Sequence, residues 1–326
     1  CHDGLITQRH FENQGSNSVQ AKGGTRNIRI ERNFFKNGGS RVLNLGGSTG
    51  LQFFRPLDAP YEAAELKVYS NVFIGSDAPI AFVGSINCEV VNNTIYLPTK
   101  WVLRILQETV DPERFPPCGY NTFRNNIIYI DNLVSVECNI GPNTAPETFT
   151  FSNNYWYHSE DSNWPGPDLP VEDTDNIVGE DPQFVDAGAE DFNLMQGSTA
   201  VGVGYAVVDP SEDYEGESFL NPRSAGAFEG GVTTTVDFPF EISGPITMVW
   251  PNPTKKHINI EVTTPLDDIS ISLTSLAGLD VFNQNDVKLS DKNRLTISPD
   301  ITIQGLYILK ISGLQFKETH LIYIAE

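Results

Sequence analysis

Lys22 stands directly before Gly23 and Gly24, so an amine is placed at a turn where a ligand can approach the backbone closely. An amine so placed could take the proton beside a uronate carboxylate in a β-elimination. That chemistry also needs a cation to neutralise the carboxylate and make the proton acidic enough to leave. Arg41, Arg104 and Glu108, four residues after Arg104, are the further catalytic candidates. Around Lys22 lie Arg26, Arg29, Arg32, Lys36 and Arg41, opposed only by Glu31. Such a strip suits an acidic polysaccharide, because arginine forks bind carboxylates at two points. Ordinary solvated charge is the plainer reading of the same residues. A second patch joins Trp101, Arg104 and Glu108 with Phe53, Phe54, Arg55 and Glu62. Here an aromatic ring could stack on a sugar face while polar groups fix its hydroxyls. The alternative is an Arg104–Glu108 pair beside a core tryptophan. Glycoside hydrolysis would need two carboxylates about 5 to 10 Å apart, and Glu62 and Glu108 are the pair considered. Lys22, Arg41, Arg104 and Glu108 are thus the catalytic candidates, and Arg26, Arg29, Arg55, Glu62 and Trp101 the substrate-binding ones.

The elements that must position these groups are legible as a repeat. Five times the chain runs apolar, any, apolar, any, any, Asn, any, apolar. The copies are Ile28/Ile30/Asn33/Phe35, Leu66/Val68/Asn71/Phe73, Cys88/Val90/Asn93/Ile95, Asn121/Phe123/Asn126/Ile128 and Phe149/Phe151/Asn154/Trp156, with a polar exception at Asn121. A two-residue alternation puts the apolar side chains on one face of a short strand. The recurring Asn can tolerate a left-handed bend and bond to its equivalent one layer away. Spacings of 38, 22, 33 and 28 residues between these asparagines predict stacked units, some carrying insertions. The expected fold is all-β: a right-handed parallel β-helix over residues 1–205, an acidic cap or linker over 206–245, and a small immunoglobulin-like β-sandwich over 246–326. A β-sandwich with coincidental asparagines is the competing fold.

Residues Ser18 to Phe35, the NNTI, NNII and SNNYWY segments, and the closing DPQFVD and DFNLMQGSTAVGVG runs resemble secreted right-handed parallel β-helix proteins of the pectate lyase superfamily. The position of Lys22 before a strand is similar to that of the basic lysine in chondroitinase B and related alginate lyases. This resemblance implies a polysaccharide lyase assisted by a calcium ion held a few residues before the lysine. In this chain those positions read Gly15-Ser16-Asn17-Ser18, without a carboxylate, and the family's arginine–histidine pair is replaced by Leu45-Gly46, leaving Arg41 as the substitute.

Charge is unevenly placed along the chain. The formal net charge is -21, of which residues 158–241 contribute nineteen acids against a single base, Arg223. Nucleic acid is thereby excluded as an expected partner, since phosphate binding needs a positive field. Within this stretch Asp173, Asp175, Glu180 and Asp181 offer calcium capture as the functional reading and a solvated cap as the plain one. No apolar run approaches a membrane span. Cys1, Cys88, Cys118 and Cys138 form no CxxC pair, so no zinc site is expected. Cys88 falls on an inward position, and the spacing of Cys118 and Cys138 suggests a stacked disulfide. Gly46-Gly-Ser48-Thr-Gly50 matches a nucleophile-elbow string, but lacks the helix and partners an elbow needs. Residues Cys1 to Thr7 already read as one turn of the stack, with no signal peptide before them. A truncated start is the expectation, and a lipidated Cys1 the alternative.

The tail changes character. Alternating strands at Ile258/Ile260/Val262, Ile269/Ile271/Leu273 and Gly305 to Ile311, punctuated by Gly, Pro and Asp, read as a separate small β-sandwich. The combination PNPT, SLAGLDV and GLYILKI closely resembles the type A sorting domain of the type IX secretion system of Bacteroidetes. The resemblance implies export across the outer membrane, contact with that machinery, and release or attachment at the cell surface. The functional expectation is an exported protein acting on an extracellular acidic polysaccharide, with elimination as its chemistry. A non-catalytic glycan-binding or adhesin protein is the alternative.

Overall fold

The computed structural model describes residues 1–230, 246–252, 254–262, 266–275, 279–289, 294–299, 304–313 and 316–325. Three parts of the sequence-derived expectations lie outside the described residues: 231–245 of the linker, Pro253 of PNPT, and 276–278 of SLAGLDV. The chain divides into two compact units, Cys1–Val232 and Thr233–Glu326.

The first unit is all-β, and its long sheets are parallel. The first sheet is built on His2–Thr7, Thr25–Glu31, Lys67–Tyr69, Glu89–Val91, Thr122–Arg124, Thr150–Ser152 and Asp173–Thr174. The second contains His10–Glu12, Phe34–Lys36, Val72–Ile74, Thr94–Tyr96, Ile127–Ile130, Tyr155–His158 and Ile177–Val178. Val19–Ala21, Leu43–Gly46, Ile80–Val83, Leu103–Leu106 and Cys138–Ile140 make the third. Each repeat places one strand in the first sheet and one in the second, and neighbouring repeats pair in register: Ile30 with Val68, Val68 with Val90, Val90 with Phe123, Phe123 with Phe151. This arrangement is compatible with a β-helix.

The apolar repeat positions are buried, including Ile30, Phe35, Val68, Phe73, Cys88, Val90, Ile95, Phe123 and Trp156. Like residues meet like: Phe35 stacks on Phe73 with ring centroids 5.0 Å apart and planes 6° from parallel. The asparagines form a buried ladder. Asn33 donates through Nδ2 to Asn71 Oδ1 (3.0 Å), Asn71 to Asn93 (2.9 Å), Asn93 to Asn126 (3.0 Å) and Asn126 to Asn154 (3.0 Å). The same oxygens accept the preceding asparagine's backbone N–H at 2.9 to 3.0 Å. Each rung therefore satisfies groups that would otherwise be buried without partners.

The left-handed residue is not the ladder asparagine. Arg32, Ser70, Asn92, Asn125 and Asn153, one position earlier, hold φ between 50 and 57°. In the NN pairs the first Asn takes the bend and the second takes the rung. The division follows from geometry, because a side chain at the bend leaves the strand face while the next one returns to it.

Asp173 occupies the sixth rung. It accepts from Asn154 Nδ2 at 3.1 Å and from Trp156 Nε1 at 2.7 Å. Burial pushes its carboxyl up to about 6, against the opposing pull of these hydrogen bonds. Asp173 is thus committed to the interior and is no calcium ligand. Among the described residues no group of three or more His, Cys, Asp or Glu side chains could hold a metal.

The last part of this unit covers the wall of the second sheet. A hairpin of Phe184–Asp186 and Asp191–Leu194, together with Ala200, Ala225, Ala227 and Phe228, packs on Phe34, Val72, Ile127 and Tyr155 of the second sheet. Buried Arg223 donates to Asn92 Oδ1 (3.1 Å) and to the carbonyl of Val207 (2.7 Å). Residues 206–230 are therefore integral to this unit, which does not end at 205.

The second unit holds two antiparallel sheets. One contains Ile246–Trp250, Ile258–Val262 and Arg294–Ile297, and the other Leu266–Ser275, Asp280–Leu289, Gly305–Gly313 and Phe316–Ile324. Their alternating apolar residues, among them Ile258, Ile260, Ile269, Ile271, Leu309 and Ile311, form one core.

Candidate functional site

The outer face of the third sheet carries a row of aligned residues. Gln20, Asn44, Ala81, Arg104 and Asn139 are successive register partners across its five strands. Their apolar neighbours Leu43, Leu45, Ile80, Phe82, Leu103 and Ile105 point inward and are buried. Strand alternation then turns the row away from the interior, with Asn44 and Ala81 buried within it.

Four of the sequence-derived candidates meet over this row. Arg41 Nη2 lies 2.8 Å from Glu108 Oε1, and Arg41 Nη1 lies 3.4 Å from Asn44 Oδ1. Arg104 donates through Nε to Asn139 Oδ1 at 2.9 Å, and its guanidinium sits 4.4 Å from the centroid of Trp101. Lys100 reaches the same ring at 4.2 Å. The Arg104–Glu108 pair considered from sequence does not form, because Glu108 goes to Arg41. Trp101 is half-buried and not a core residue. Burial, and then the charge of Arg41, hold the Arg104 guanidinium below its ordinary value, while Glu108 and Asp77 act the other way.

Lys22 borders this cluster. Its Nζ donates to the Ser48 carbonyl at 3.1 Å, and among the described residues it has no carboxylate partner. Gly47, with φ of 149°, makes room for it: a Cβ there would come within 2.9 Å of Gln20 Nε2, 3.2 Å of Lys22 Cδ and 3.5 Å of Asn44 Nδ2. Lys22, Gln20 and Asn44 therefore converge over one glycine.

Two insertions flank the row. Residues 47–62 and 107–117 share a small core in which Phe54 and Phe115 pack at 5.3 Å, with Arg114 4.6 Å from the Phe54 ring. Arg114 also donates to the Ala59 carbonyl. Glu62 ties these loops to the Lys22 turn. Its carboxylate, 1% exposed, accepts from Gly23 N (2.8 Å), Thr49 N (2.9 Å), Thr49 Oγ1 (2.7 Å) and Thr109 Oγ1. Glu62 is thus a structural hub with no face left for a sugar, which also removes the Glu62–Glu108 hydrolytic pair. Two hollows bracket the row along the strand direction. One of about 300 Å³ is lined by Gly15, Asn37, Gly39, Ser40, Ser76 and Asp77. The other, of about 210 Å³, is lined by residues including Gln107, Val110, Asp111, Phe115 and Asn143.

The remaining binding candidates lie elsewhere. Arg29 bonds to Glu31 at 2.5 Å and to Asp209 at 3.1 Å, and Lys67 shares Asp209 at 3.3 Å. Arg32 meets Glu212 at 2.9 Å, and Lys36 meets Glu190. The basic strip is consequently neutralised by the chain's own acidic segment. Arg26 is exposed on the first sheet, in register with Ala64. Arg55 donates to the carbonyls of Gln52 and Phe54 within its own loop. All four cysteines are free: Cys138 aligns with Leu103 in the third sheet, whereas Cys118 bridges to Thr144 elsewhere, so no disulfide joins them. Burial pushes the thiols of Cys88 and Cys138 up to about 12 and so leaves them unreactive. A calcium ion placed as in the resembled lyases does not fit, because Gly15 to Ser18 supply no carboxylate. Sequence reasoning missed Gln20, Asn44 and Asn139. Their signal was a polar residue between two inward apolar positions, as in Leu43-Asn44-Leu45.

Residues 248–325 match the family model for a secretion system C-terminal sorting domain. This tail is the sorting domain of the type IX secretion system, and the protein is delivered by that machinery to the exterior or the cell surface. No curated protein matches the chain. Among the described residues no helix is long and apolar enough to cross a membrane.

Proposed function

We propose that the first unit is a right-handed parallel β-helix of the pectate lyase type that acts outside the cell on an acidic polysaccharide, and that the tail is an immunoglobulin-like sandwich. The observation that carries this reading is that Lys22, Arg41 and Arg104, the last beside Trp101, share one wall of an exported chain. A flat aromatic ring with guanidinium groups around it suits a sugar bearing a carboxylate. The two hollows at either end of the strands provide room for neighbouring sugars.

In the catalytic form of this reading, Lys22 removes the proton beside the carboxylate while Arg41 and Arg104 neutralise the developing charge. A non-catalytic glycan-binding surface protein is the second reading, favoured by the engagement of Arg41 with Glu108. Incubation with a panel of uronate polymers tests both. Growth of ultraviolet absorbance from unsaturated ends supports elimination, and binding without that signal leaves the second reading. Neither binding nor cleavage would remove acidic polysaccharide altogether.

A further inference from the structure

We propose that Glu108 is an internal stand-in for the ligand's carboxylate, so that binding is an exchange in which an acidic sugar displaces it from Arg41. This inference rests on the acidic-polysaccharide reading and concerns the selectivity of that site.

Glu108 lies at the end of the third sheet's wall, directly after Leu103–Leu106 and Gln107, and its carboxylate is held by the Arg41 guanidinium at 2.8 Å. It also lies within the electrostatic reach of Arg104, which Arg41 disfavours and Glu108 favours. This anion thus pairs with a guanidinium on the third wall, which is the position a uronate carboxylate would take. The pair is not sealed in the core, because the side chains of Arg41 and Glu108 retain 19% and 33% exposure. Partner exchange there is inexpensive. Asp209 and Glu212, the partners of Arg29 and Arg32, belong instead to a segment fastened by buried Arg223. Glu108 projects from a strand end, and its side chain alone has to move.

A neutral sugar offers Arg41 nothing equivalent to Glu108, so exchange favours charged polymers over neutral ones. The internal carboxylate therefore sets a threshold for the ligand rather than aiding its capture.

The test measures affinity for polygalacturonate and for its fully methyl-esterified form, using wild type, Glu108→Gln and Glu108→Asp. Glu108→Gln removes the competing charge. Glu108→Asp keeps the charge but shortens its reach by about 1.5 Å. If Glu108 is a stand-in, both variants bind polygalacturonate roughly two- to fivefold more tightly, and binding of the esterified polymer is unchanged. Tightening in Glu108→Gln alone would mean simple charge removal and overturn the proposal, as would no tightening in either variant when wild type binds. Failure of wild type to bind polygalacturonate would remove the acidic-polysaccharide reading as tested here, and the stand-in with it.

Discussion

The first and third sheets share one interior but present opposite exteriors. The first sheet's basic residues Arg29 and Lys67 are covered by Asp209, a carboxylate 180 residues from Arg29. The third sheet's Arg104 and Arg41 lie on a wall bordered by two loops, where they meet Asn139, Asn44, Trp101 and Glu108. A dense run of positive charge therefore marked a contact made within the protein. The scattered charges, 63 positions apart in the case of Arg41 and Arg104, were the ones brought together on the third wall. Clustering along the chain was the poorer guide, because local charge repulsion itself demands a partner and the acidic second half provides one.

The comparison requires that the interior be common to both walls, and the largest effect tests that. Replacing Asn93 with Ala removes a rung whose Oδ1 serves Asn71 and whose Nδ2 serves Val68, Val91 and Asn126. Stability should fall by about 4 kcal/mol, since several buried groups lose partners at once. Denaturant unfolding checks this; a loss below about 1 kcal/mol would show that the rungs act independently of the walls they support.

Asp173→Asn separates interior from exterior by pH. The folded carboxyl titrates near 6, above its ordinary 3.8, so between these values the native state holds a proton that the unfolded chain lacks. The contribution of Asp173 is fully present below about pH 4 and is lost as pH rises through 6, a difference of up to about 3 kcal/mol. The stability difference between the Asn variant and wild type should therefore shift in the variant's favour by up to that amount as pH rises from 4 to 7. An unchanging gap across this range would contradict the assignment.

Smaller effects divide the walls themselves. Arg104→Ala should weaken polyuronate binding about tenfold while leaving thermal unfolding nearly unchanged. Arg29→Ala should do the reverse, lowering stability by about 1 kcal/mol and sparing the ligand. Equal loss of binding in both variants would erase the distinction between the two walls.

The interior was legible because a two-residue period and a recurring Asn are local properties of sequence. Phe35, Val68, Ile95, Phe123 and Trp156 all face the core, and the five rungs bond in order. The exterior was less legible because its contacts depend on distant chain. Nothing near Arg29 announces Asp209, and nothing near Glu62 announces that Gly23, Thr49 and Thr109 converge on it. A glutamate close to aromatic residues read as a sugar contact, whereas its position beneath three loops made it a fastening. Cys118 and Cys138 show the same limit, since separation along the chain does not say which sheet receives each residue.

The rungs also have a direction. Every amide from Asn33 to Asn154 hands its hydrogen forward, and the final acceptor is a carboxylate, which when ionised has no hydrogen to pass on. Asp173 thereby acts as punctuation. An asparagine there would leave the sentence open for another line, so a single amide-to-acid difference can govern how many layers the stack counts before it stops.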